Sequence, residues 1–79
     1  MSLQKSIIKA VCMKYIKKIR DLREDHDLTQ QQVADILGTS QTMYARYERG
    51  ANELPIHHLI TLCDYYNVSA DYILGRDET

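Results

Sequence analysis

The sequence predicts an all-α fold of five helices in one domain, and three observations carry that prediction. No stretch alternates apolar and polar residues at period two, so strand signals are missing. The three glycines, Gly38, Gly50 and Gly75, each close an apolar run at helical spacing. Thr29, Ser40 and Ser69 stand just before three of those runs, where a hydroxyl can accept from the free amides of a first helical turn.

The elements follow in order. Tyr15, Ile16, Ile19, Leu22 and Arg23 recur at helical spacing and give a first helix from about Lys14 to Asp25, broken by His26-Asp27. Ile8, Val11 and Cys12 would continue it backwards in register. Met1-Ser2-Leu3 nevertheless has the look of a leader and Met13-Lys14 that of a natural start, so residues 1–12 are expected to be a dispensable extension, 13–75 the domain and 76–79 a tail. Thr29 and Gln32 form a capping box, with Leu28 placed to pack on Val33, which opens a second helix from Gln30 to Leu37. Gly38 ends it with an expected positive φ. Ser40 caps a third helix, Gln41 to Arg49, and Gly50 stops it. After a loop at residues 52–54, Pro55 opens a fourth helix reaching about Tyr66, and Ser69 caps a short fifth that ends at Gly75.

Composition bounds the function. A chain of 79 residues has room for one core and not for a cleft between two lobes, and no nucleophile, base and orienting group can be assembled from it, so no enzyme is expected. With 44% hydrophobic and 27% charged residues it is too apolar to be disordered. Cys12 and Cys63 stand far apart with no second Cys at metal or redox spacing; both read as reduced thiols, which points to the cytoplasm. The run from Ile7 to Val11 is interrupted by Lys9 and is too short for a signal peptide or a membrane span. Adjacent helical residues such as His57 and His58 diverge by roughly 100°, and nothing nearby completes a ligand set, so neither a metal nor another cofactor is expected. No small-molecule ligand is implied either. His26 sits where it can meet the carboxyl end of the first helix, and the cluster of Leu59, Ile60, Leu62, Cys63, Tyr65 and Tyr66 reads as core and interface.

The formal net charge of −1 is unevenly spread. Residues 1–49 carry nine Lys or Arg against six Asp or Glu, whereas residues 50–79 carry Arg76 alone against five acids. A basic amino-terminal half suits a polyanion held by one face, as it also suits a solvated surface.

The informative stretch is Gln30 to Arg49. Two short helices joined by Gly38-Thr39-Ser40 must cross closely to bury both apolar faces; Ala34 supplies the small residue and Gly38 the turn. Val33, Leu37, Tyr44 and Tyr47 then point inward, leaving Gln41, Thr42, Ala45, Arg46 and Arg49 as a slim polar row that fits a major groove.

From Tyr15 to Gly75 the chain resembles the Xre/Cro-CI family of helix-turn-helix regulators, which includes phage repressors and restriction-modification controller proteins. Leu28-Thr29-Gln30, Ala34 and Gly38, Tyr47-Glu48-Arg49-Gly50, Pro55 and Val68-Ser69 carry the likeness. Tyr44 departs from it, since the family more often shows Ile or Val there. The resemblance implies a five-helix lambda-repressor-like fold and a regulator, most simply a repressor, that binds double-stranded DNA. It implies base readout by Gln41, Thr42 and Arg46, because Gln can pair with adenine and Arg with guanine. Backbone-phosphate contacts fall to Gln30, Ser40, Arg49 and Asn52, and a structural ion pair to Arg23 and Glu48. One such row reads too few base pairs to be selective in a genome, so a homodimer on a pseudo-palindrome is expected. Tyr72, Ile73 and Leu74 give the fifth helix more apolar surface than its own domain can cover, which places the expected dimer seam there. The alternative from a different class is a protein-interaction module on the same fold, either an antitoxin-like partner of a second protein or a helix-turn-helix domain that no longer binds DNA.

Overall fold

The structure is a computed structural model that describes the backbone of residues 2–76 and the side chains of residues 14–76. Five helices follow one another: α1 Ser2–Asp25, α2 Gln30–Leu37, α3 Gln41–Arg49, α4 Ile56–Tyr66 and α5 Ala70–Leu74. No strand occurs among the described residues.

Local chemistry accounts for the boundaries. Thr29 Oγ1 accepts from the Gln32 amide while the Gln32 side chain accepts from the Thr29 amide, so the capping box closes reciprocally at α2. Ser40 and Ser69 accept from the Met43 and Tyr72 amides and start α3 and α5. Gly38 ends α2 at φ 74°, a left-handed conformation that costs a residue with a Cβ. Pro55 stands as the cap residue itself, and α4 begins one position later at Ile56.

α1 differs from expectation. It begins at Ser2 rather than near Lys14, because the backbone of residues 2–13 continues the helix in register. The side chains of Ile8, Val11 and Cys12, and residues 77–79 of the tail, lie outside the described residues.

The core is one cluster. Ile19 and Leu22 of α1, Val33, Ala34 and Leu37 of α2, Tyr44 and Tyr47 of α3, Leu62 and Tyr66 of α4 and Ile73 of α5 are all buried in it. α2 packs on α3, α1 on α5 and α3, and α4 on α2 and α5, so every helix contributes to the support beneath α3. The expected seam on α5 needs correction at Ile73. That side chain is 0% exposed and fills its own core, so it has no surface to offer a second chain. Leu74 is half-buried, and Tyr72 is exposed, with the Lys18 ammonium 4.2 Å from its ring centre. The apolar surface left over lies instead mainly on α4, at Ile56, Ile60 and Tyr65.

Candidate nucleic-acid interface

α3 presents two unlike faces. Tyr44, Tyr47 and Glu48 are buried; Ser40, Thr42, Arg46 and Arg49 are exposed, and Gln41 is half-buried between them. Asn52 is half-buried in the following loop, where its amide donates to the Arg46 carbonyl at 3.4 Å. The Ser40 hydroxyl already accepts from Met43, which leaves its proton available to an external acceptor.

Behind this face runs a chain of hydrogen bonds. Arg23 of α1 grips Glu48 with two prongs, Nε donating to Oε2 at 2.7 Å and Nη2 to Oε1 at 3.2 Å, while Nη1 donates to the Leu28 carbonyl at 2.9 Å. The pair sits below the surface, with the side chains of Arg23 and Glu48 only 14% and 3% exposed. Gln30 Nε2 donates to Glu48 Oε1 at 3.1 Å, and Gln41 Nε2 donates to Gln30 Oε1 at 2.7 Å. Three helices are thereby joined through side chains to the first residue of α3.

The direction of these bonds is dictated by their inner end. An ionised carboxylate only accepts, so Gln30 must turn its NH₂ toward Glu48 and its carbonyl toward Gln41. Gln41 must then spend one N–H on Gln30. Its carbonyl oxygen and second N–H remain, one acceptor and one donor side by side, which is the complement of the N6 donor and N7 acceptor of adenine.

Electrostatics keep the inner end charged. Burial opposes ionisation of Glu48, but the hydrogen bonds of Arg23 and Gln30 and the nearby Tyr44 hydroxyl outweigh it and hold the carboxyl below its ordinary range. Arg23 is raised chiefly by its hydrogen bond to Glu48. The Tyr44 and Tyr66 hydroxyls are buried and reach hydrogen-bond geometry with no protein atom. Burial, reinforced by the Glu48 carboxylate, drives the Tyr44 phenol far above its ordinary value, and burial pushes Tyr66 up to about 12.

Several residues singled out in the sequence are thus brought together. The sequence expectation for Gln30 is a phosphate contact; here both ends of its amide are engaged within the protein, by Glu48 and Gln41, and one N–H is left for an anion. The relay through Gln30 was missed in the sequence. The signal for its inner link alone was the lone-pair capacity of Glu48, which exceeds what Arg23 can satisfy. His26 Nδ1 lies 2.8 Å from the Leu22 carbonyl at the end of α1, and His58 is buried against Tyr47, with ring centres 5.9 Å apart. Burial raises the Cys63 thiol, which makes it less reactive. No group of residues suited to a metal occurs among the described residues, and no helix there is long and apolar enough to cross a membrane.

Known proteins share this architecture. The chain is 39% identical over 61 residues to the HTH-type transcriptional regulator YobD of Bacillus subtilis, covering 77% of this chain and 54% of that protein. It is 32% identical over 65 residues to the phage CTXphi transcriptional repressor RstR of Vibrio cholerae, covering 82% and 59%. It is 39% identical over 62 residues to the antitoxin PezA of Streptococcus pneumoniae, covering 78% and 39%. Among solved structures, a transcriptional regulator from Listeria innocua superposes with a TM-score of 0.76 at 26% identity, over 82% of this chain and 61% of that one. The chain thus spans about half the length of the curated relatives it matches. The helix-turn-helix family model matches residues 19–73, from the buried middle of α1 to the core residue of α5, and the chain belongs to that family.

Proposed function

We propose that this domain binds a specific site in double-stranded DNA and regulates transcription from it as a repressor, reading the major groove with α3. The observation that carries the reading is the oriented Gln41. A side chain held by Gln30, Glu48 and Arg23 presents a fixed donor and acceptor beside Arg46, on a helix face where Thr42, Arg46 and Arg49 are exposed among the described residues. Thr42 adds a hydroxyl to this reading row. Arg49, Ser40 and Asn52 flank it as backbone contacts, and the last N–H of Gln30 reaches a phosphate at the amino end of α2, where the helix dipole favours an anion. The named regulators and repressors among the relatives support the same reading.

The domain acts as a homodimer on a pseudo-palindromic site, with reading helices one DNA turn apart, roughly 34 Å. Since Ile73 is committed to the core, the seam draws on Tyr72 and Leu74 together with the exposed apolar residues of α4. Sedimentation with operator DNA tests this, and a monomer on its half-site would count against it. Selection of duplexes from a random pool tests the main reading. A consensus with an adenine and a guanine in each half-site supports it; a pool that stays random overturns it.

A second reading has its own observation in the likeness to the antitoxin PezA. On that reading a second protein binds this domain, and a toxin reading frame beside its gene, whose product co-purifies with it, would favour it.

A further inference from the structure

Gly50, directly after α3, backs onto the middle of α1: a Cβ there would stand 2.7 Å from Ile16 Cδ1. The carboxyl end of the reading helix therefore abuts α1 about two turns before Arg23. Between them lies a shallow groove lined by Lys14, Ile16, Lys17, Arg20 and Arg49. Four of these five residues are cations.

Their neutralisation is incomplete. Lys17 Nζ pairs with Asp21 at 2.8 Å, and that one carboxylate also feels Arg20 and Lys18, which help hold it ionised. Arg20 and Arg49 are exposed and make no side-chain hydrogen bond or ion pair among the described residues. Like charges around one concavity repel each other, and an anion seated between them converts that repulsion into attraction. Two guanidinium groups suit a phosphate better than two ammonium groups would, since each offers a planar fork of donors.

We infer that Arg20, with Lys17, extends Arg49 into a basic groove that grips DNA-backbone phosphates beyond the base pairs read by α3. The inference rests on the DNA-binding reading above and goes beyond it by assigning contacts to α1. Continuity favours the DNA backbone over any other anion. Arg49 belongs to both surfaces, closing the outward row of α3 and lining the groove, and a helix lying in the major groove meets the phosphate wall where it ends.

The test is binding of the full chain and of Arg20→Gln to the selected operator in duplexes of decreasing length, over a salt series. Circular dichroism checks that both proteins are equally folded. On the long duplex Arg20→Gln should bind about tenfold more weakly at low salt, with a salt slope shallower by about one and unchanged base preferences. On a duplex trimmed to the base pairs read by α3, the variant and the parent should bind alike. Equal binding on the long duplex, or an equal loss on both lengths, overturns the groove while leaving the reading by α3 intact. A parent protein that binds no duplex overturns both.

Discussion

The face built by α2 and α3 and the end built by α4 and α5 are held by different forces. On the first, Glu48, Gln30 and Gln41 are fixed by directed hydrogen bonds, and each helix start has a side-chain cap. On the second, contact is made through Leu62, Tyr66 and Ile73, α4 begins without a side-chain cap, and Ile56 and Ile60 remain 74% and 56% exposed. Directed bonds fix side chains to within a fraction of an ångström, as readout of base edges requires. Apolar packing is less particular about direction and leaves surface that a second chain can cover.

The sharpest way to break the first region is Glu48→Ala. Arg23 would be left buried without its carboxylate and Gln30 without its acceptor, so unfolding in urea should show a loss of about 3 kcal/mol. A loss under about 1 kcal/mol would mean that the pair behaves like a surface ion pair. The same contact has a pH signature. The folded-state pKa of Glu48 is depressed, so its contribution is present above the ordinary value of 4.5 and fades as pH falls through the folded value. Glu48→Gln should abolish that fading.

Arg46 and Arg49 test the division of labour across the exposed row. Arg46→Ala should cost about 1–3 kcal/mol on the selected site and relax the choice at one base pair. Arg49→Ala should instead weaken all sequences alike and make the salt slope shallower by about one. Competition with single-base variants of the site measures both. Unaltered base preferences in Arg46→Ala would remove α3 as the reader.

How far each region was legible in the sequence follows from the same contrast. Caps and glycine stops act over three or four residues, so Thr29, Ser40, Gly38 and Gly50 could be placed from local pattern alone, and the structure has them as expected. The Arg23–Glu48 contact spans 25 positions and entered only through family likeness. The Gln30–Gln41 bond could not be read at all, because it depends on how closely α2 and α3 approach. The seam on α5 was misjudged at Ile73 for a similar reason: apolar residues in a five-residue helix do not reveal which one faces inward. The start of α1 was misjudged because leader-like residues outweighed a periodicity that was already visible at Ile8 and Val11.

Two glycine stops of the first region separate backbone strain from crowding. Gly38 and Gly50 have nearly the same φ, 74° and 76°, but a Cβ at 38 meets nothing within 4 Å whereas one at 50 meets Ile16. Gly38→Ala should therefore cost about 1 kcal/mol for the left-handed backbone alone. Gly50→Ala should cost that and a little more, because the obstructing atom is the flexible end of Ile16. Denaturation of both variants gives the difference directly. A smaller loss at 50 than at 38 would show that Ile16 does not press on the end of α3.

The smallest expected effect belongs to the second region, where His58 of α4 is buried against Tyr47 of α3. Burial, with a smaller contribution from the charge of His57, lowers its pKa below the ordinary 6.5. The unfolded chain therefore takes up a proton at higher pH than the folded one does. Stability should be full above 6.5, decline as pH falls below it, and level off once the folded state is protonated too. The decline from His58 sets in below 6.5 and that from Glu48 only below 4.5, so the first is already under way where the second begins in a single series of urea curves. His58→Phe retains a ring against Tyr47 and removes the proton site, and the part of the decline between pH 7 and 5 that it abolishes belongs to His58. If wild type and His58→Phe decline in parallel, the imidazole is not protected by α3, and the packing of α4 against α3 is looser than the burial of His58 indicates.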